Sequence, residues 1–141
     1  MVKYVLDTDI ISLLQQGHSQ TIARYSLVPA DEVGITVISV EEQLSSWYTL
    51  IRQAKKPEDA ARGYFSLAQN VSCFAQFEIL PYPVAAIARF EQLKRMKLGV
   101  RAPDLRIAAI VLEHPGSILV TRNKRDFKVI PGLIIEDWSK P

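Results

Sequence analysis

The chain has 141 residues, a length that suits one domain spanning 1–141 around one hydrophobic core, and no second domain is expected. Hydrophobic residues make up 48% and charged residues 23%, proportions that exclude a disordered or low-complexity chain. A formal net charge of +2 is far short of a strong basic bias, so charge alone neither points to an RNA partner nor excludes one.

No run of about 18 apolar residues offers a membrane span, and charge interrupts the N-terminus before a signal-peptide core can form. The expected location is the cytoplasm. Cys73 is the single cysteine, which rules out an internal disulfide and a thiolate metal cluster and leaves a small buried hydrophobe as its expected role.

Residues 2–6 form a short apolar run that stops at Asp7-Thr8-Asp9, the pattern of a buried strand followed by a helix start. Helices are expected over 10–16, ended by Gly17, and over 19–27, ended before Pro29. Residues 33–38 (VGITVI) read as a second buried strand, with Ser39 as N-cap and Glu42 three residues on in the spacing of a capping box. The helix that follows, 40–55, carries Leu44, Trp47, Tyr48 and Ile51 as a core-facing stripe. Pro57 opens another helix to 71.

A third strand is expected over 77–80 and a helix over 84–97. Pro103 starts a helix that is apolar almost all round through Leu112, as befits a helix packed inside the domain. Strands over 117–121 and 133–136 complete the chain. Strands alternating with helices, without tight hairpins, predict an α/β fold: a mostly parallel sheet of four to five strands flanked by helices.

Ligands of open α/β sheets bind beyond the carboxyl ends of the strands. Asp7, Glu42, Asp104 and Asp126 all fall at such ends or in the helical turns after them. Each could simply complement a helix dipole, and Asp9 reads either as a helix cap, the preferred role, or as a partner lying just outside the site's ligands. Asp104 is the most telling, since it shares a face with Ile107, Ala108 and Val111, where a carboxylate needs a cation or donors. Several carboxylates held together repel one another unless a cation intervenes, and Mg²⁺ or Mn²⁺ suits an all-oxygen set.

His18 and His114 are isolated and read as surface or capping residues. The basic stretch Arg89, Lys94, Arg95, Lys97, Arg101 and Arg106 could neutralise phosphates or form a solvated helix face. Trp47, Tyr48 and Tyr64 could stack bases, though helical spacing favours core packing for the first two. No G-x-S-x-G elbow or G-x-G-x-x-G loop competes with the carboxylate site.

The motifs VLDTDIIS, ITVISVEEQL, PDLRIAA and LVTRNKRDFKVIPGLIIEDW together resemble the PIN-domain ribonucleases, most closely the VapC-type toxins of bacterial toxin–antitoxin pairs. The resemblance implies Asp7, Glu42, Asp104 and Asp126 as catalytic metal ligands, with Thr121 and Asn123 as polar helpers. Gln43 and Ser46 depart from the family pattern and leave Glu41 as the competing register for Glu42. The resemblance further implies Mg²⁺-dependent (or Mn²⁺-dependent) hydrolysis of RNA, a cognate antitoxin and a homodimer. The alternatives are a PIN-like RNA-binding module without catalysis and a PIN-like nuclease of nucleic-acid processing outside a toxin–antitoxin pair.

Overall fold

In the computed structural model, which describes residues 1–141, the apolar run at the N-terminus becomes β1 (Tyr4–Leu6), the middle strand of a five-stranded sheet. Val5 and Leu6 are fully buried and face opposite ways, Val5 into one core and Leu6 into another. A strand covered on both faces must be apolar at every position, which is why no polar alternation marks it. The same holds for Leu119 and Val120 of β4 (Ile118–Val120).

After β1 come α1 (Thr8–Gln15) and α2 (Ser19–Ser26), separated by Gly17, whose φ of 77° permits the reversal that ends α1. A 3₁₀ turn at Ala30–Glu32 leads into β2 (Val33–Thr36), then α3 (Val37–Gln53) and α4 (Pro57–Phe74). β3 (Glu78–Leu80), α5 (Val84–Arg95) and α6 (Ala102–Leu112) precede β4, and α7 (Lys124–Phe127) and β5 (Ile135–Glu136) follow it.

The sheet order is β3-β2-β1-β4-β5 and every pairing is parallel. Helices α5 and α6 pack with the Val5 core, whereas α1 and the end of α4 pack with the Leu6 core, so the sheet lies between two helical layers. Leu6 pairs with Ile35 on one side and Val120 on the other. The residues that come next, Asp7, Thr36 and Thr121, therefore emerge level at one edge. The chain grows outward through β2 and β3, then crosses back to the other side of β1, so strand order reverses between β1 and β4 at that same edge.

Three local expectations change. The N-cap of α3 is Thr36, whose hydroxyl accepts from the Ser39 N–H at 3.2 Å, and Ser39 lies inside the helix. Val37 and Ile38 continue a β-branched run, so the sequence disguises the helix start as strand. Of the stripe Leu44, Trp47, Tyr48 and Ile51, Leu44 packs half-buried against the Leu6 core, whereas Trp47 and Ile51 are half-buried away from it and Tyr48 is exposed, because this side of α3 lies along α4. Gly63 allows that approach, since a Cβ there would stand 2.7 Å from the Ile51 side chain. The buried positions of α3 are Ile38, Ser39 and Gln43. Cys73 is half-buried. No helix is long and apolar enough to cross a membrane.

Candidate active site

Asp7 leaves the end of β1 and caps α1. Its backbone N–H donates to the Val120 carbonyl at 2.9 Å, tying it to β4. One carboxylate oxygen accepts from the Thr8 N–H at 2.8 Å, and the other accepts from the Thr121 hydroxyl at 2.8 Å. Thr121 is fully buried and in turn accepts from the Asn123 N–H at 3.0 Å. Burial pushes the Asp7 carboxyl up to about 6; the Thr121 and Thr8 hydrogen bonds oppose that rise, and the charges of Asp104 and Asp9 add to it.

Glu42 approaches from α3, where its Oε1 accepts from the Thr8 hydroxyl at 2.8 Å. That hydroxyl also lies 2.9 Å from the Ser39 hydroxyl, so Thr8 links the start of α1 to α3. Glu41 points elsewhere: it is exposed and lies beside Tyr82 and Arg106 in a separate cavity. Of the paired glutamates, Glu42 is thus the one at the site.

Asp104 sits in the first turn of α6 and is 5% exposed. Its burial follows from its helix face, which also carries the fully buried Ile107 and Ala108. The Arg101 guanidinium holds it, with Nε 3.3 Å from Oδ2 and Nη2 3.3 Å from Oδ1. The same Nη2 lies 3.6 Å from Glu42 Oε2. Hydrogen bonding to Asp104, together with its charge, raises the Arg101 pKa above the ordinary guanidinium value, and Glu42 and Asp7 add to the effect.

Asp7, Thr8, Asp9, Glu42, Arg101, Asp104 and Asn123 enclose a cavity of about 110 Å³ with no hydrophobic residue in its wall. Asp9 lines this cavity and is exposed; the capping role expected of it belongs to Asp7. Asp126, expected beside the other acids, does not line the cavity. It is exposed on α7 and accepts from the Asn123 side-chain amide at 2.9 Å, so it meets the cavity only through Asn123. The donor set of Asp7, Glu42 and Asp104 is entirely oxygen and suits a hard divalent cation. As the side chains stand, no three His, Cys, Asp or Glu residues converge tightly enough to hold one, and Arg101 spans the gap between Asp104 and Glu42.

Of the basic stretch, Arg101 alone lines this cavity. Arg89 pairs with Glu113 at 2.9 Å, and the Arg106 guanidinium lies 5.0 Å from the centre of the Phe90 ring. His18 caps α2 by accepting from the Thr21 N–H. Sequence reasoning passed over Thr8 and the site role of Arg101; a hydroxyl between two acids at a strand end was the available signal for Thr8.

A larger cavity of about 580 Å³ lies along α1, α3 and α4 and includes Leu14, Gln15, Trp47, Phe65 and Asn70. No charged side chain lines it, so it offers nothing to polarise a phosphate. The smaller cavity is the candidate site because chemistry, not volume, decides the matter.

A chain of the DNA-bound VapBC complex from Salmonella typhimurium is 29% identical to this one, with 98% of this chain and 99% of that chain covered at a TM-score of 0.74. VapBC-1 from nontypeable Haemophilus influenzae is 22% identical, covering 99% and 100% at a TM-score of 0.74. A toxin–antitoxin complex from Klebsiella pneumoniae is 23% identical, covering 94% and 96% at a TM-score of 0.70. Neither a family model nor a curated protein matches the sequence.

Proposed function

We propose that this chain, which has the PIN-domain fold of the VapC-type toxins, is a metal-dependent endoribonuclease and the toxin of a cytoplasmic toxin–antitoxin pair. The observation that carries the proposal is the meeting of Asp7, Glu42 and Asp104 in one polar cavity at the edge where strand order reverses. Bound there, Mg²⁺ or Mn²⁺ would polarise a phosphodiester and lower the pKa of an attacking water.

Asp7, Glu42 and Asp104 would hold the ion. Thr121 and the Thr8 N–H fix the Asp7 carboxylate, and the Thr8 hydroxyl fixes Glu42, so two acids from distant segments are oriented before any ligand arrives. Asp126 is a positioning residue: by accepting from the Asn123 amide it holds that side chain at the cavity wall, where it can orient water. The cognate antitoxin and a second copy of the chain are the proposed protein partners. The uncharged 580 Å³ groove suits a partner segment with apolar and amide side chains.

The test is cleavage of RNA by the purified chain with Mg²⁺ or Mn²⁺, with EDTA, and with Asp7→Asn and Asp104→Asn. Cleavage should need the cation and be lost in both folded variants. Turnover in excess EDTA, or near-full activity in either variant, would overturn the reading. Growth arrest on expression alone, relieved by a small co-expressed partner, tests the toxin assignment separately.

A further inference from the structure

We infer that Arg101 is a built-in counter-ion of the acid cavity that competes with a divalent cation for Asp104 and Glu42. The inference rests on the reading of that cavity as a cation site. One nitrogen, Nη2, is shared between the two acids, at 3.3 Å from Asp104 and 3.6 Å from Glu42. These acids come from different helices, α6 and α3, so the guanidinium already joins two of the carboxylates that the cation reading assigns as ligands.

Capping does not explain the placement. Arg101 occupies the N-cap position of α6, yet its side chain makes no capping hydrogen bond. A cation at a helix N-terminus is also disfavoured by the helix dipole. What holds the guanidinium is its forked pairing with Asp104 and the further attraction of Glu42.

Arg101 is free to leave. Its side chain is 67% exposed against 7% for Asp104, so swinging outward uncovers little and breaks no core contact. As an ion enters, the guanidinium withdraws and the acids exchange one positive partner for another. They are never left unpaired, and the energy of the Arg101 contacts is subtracted from the ion's apparent affinity.

Isothermal titration of the full chain with Mn²⁺, alongside the Mn²⁺-induced rise in Tm, tests this without reference to RNA cleavage. Arg101→Gln should bind Mn²⁺ about tenfold more tightly than the wild type, the scale expected of removing one largely solvent-screened charge. Arg101→Lys retains charge but lacks the fork, so its affinity should fall between the two and serve if the glutamine variant folds poorly. Arg106→Gln removes equal charge from the same helix at a position beside Phe90 and should leave affinity unchanged.

Equal or weaker binding by Arg101→Gln, or equal tightening by Arg106→Gln, would overturn the inference while leaving the cation site in place. If neither wild type nor Arg101→Gln binds Mn²⁺, the cation reading itself falls, and the inference with it.

Discussion

Glu42 and Gln43 are neighbours on α3, yet they enter two different polar clusters. Glu42 reaches the charged cavity with Asp7, Asp104, Thr8 and Arg101. Gln43 is buried on the other side, where it donates to the Ser12 hydroxyl at 3.1 Å and accepts from the amides of Gln15 and Asn70. The neutral cluster joins α1, α3 and α4 and is nearly self-sufficient: the Asn70 Oδ1 is the one buried side-chain atom left without a partner. The charged cluster cannot balance itself, because one guanidinium faces several carboxylates. A polar group that serves packing is recognised by satisfied hydrogen bonds, and one kept for chemistry by charge that its neighbours leave uncompensated.

The largest difference between the clusters should appear in catalysis. Asp7→Asn, Asp104→Asn and Glu42→Gln should each lower RNA cleavage by about a thousandfold or more, since each removes a charge that would bind the ion. Glu41→Gln and Gln43→Leu should retain cleavage within a few-fold once folded protein is compared. Single-turnover rates at saturating Mn²⁺ provide the check. Equal losses for Glu41→Gln and Glu42→Gln would dissolve the contrast.

A second contrast concerns pH. Burial pushes the Asp7 carboxyl up to about 6 from an ordinary value of 3.8, so between these values the native chain binds more protons than the unfolded one. Stability must then fall as pH rises through that window, by about 3 kcal/mol from this group, and it is highest below about pH 4 as far as Asp7 is concerned. In EDTA, Asp7→Asn should be more stable than the wild type at pH 7 by up to this amount, with the advantage vanishing near pH 4. Turned so that its oxygen still accepts from the Thr8 N–H, the new amide donates to the Thr121 hydroxyl, which then loses its acceptor, and that loss offsets part of the gain at every pH. Urea unfolding at the two pH values measures the difference. If the stability of the variant relative to the wild type does not rise between pH 4 and pH 7, Asp7 is not strained by burial.

Much of this geometry is legible in the sequence because burial dictates it. A central strand covered on both faces has to be a continuous apolar run, so the end of Val5-Leu6 marks the sheet edge and Asp7 with it. The burial of Asp104 follows from helical spacing alone. The start of α3 is illegible because Ser39 and Glu42 imitate a capping box, while the true cap, Thr36, is also the last residue of β2. Arg101 is concealed differently: an Arg three residues before an Asp reads as an ordinary local pair, and only the fold brings Glu42 to it. α7 is missed because three of its four residues are charged, leaving Phe127 as the single buried anchor.

The smallest predicted effects lie within the neutral cluster, and their order tests whether it is a packing device. Gln43→Leu removes the centre of the network, so the Ser12 hydroxyl and the buried Asn70 amide lose a partner while Gln15 keeps access to solvent. Orphaning buried polar groups costs about 1–3 kcal/mol, and the loss should fall in that range. Asn70→Leu acts differently. It breaks the bond to Gln43, but Gln43 Oε1 still accepts from Gln15 at 3.4 Å, and the variant also eliminates the unpartnered Oδ1. Replacing a half-satisfied amide by an apolar side chain of similar size relieves one penalty while incurring another, so the net change should stay within about 1 kcal/mol. Chemical denaturation of the two variants decides the order. If Asn70→Leu costs more than Gln43→Leu, the Asn70 amide and not Gln43 is the hub that ties α4 to α1 and α3, and its free oxygen has a partner in solution.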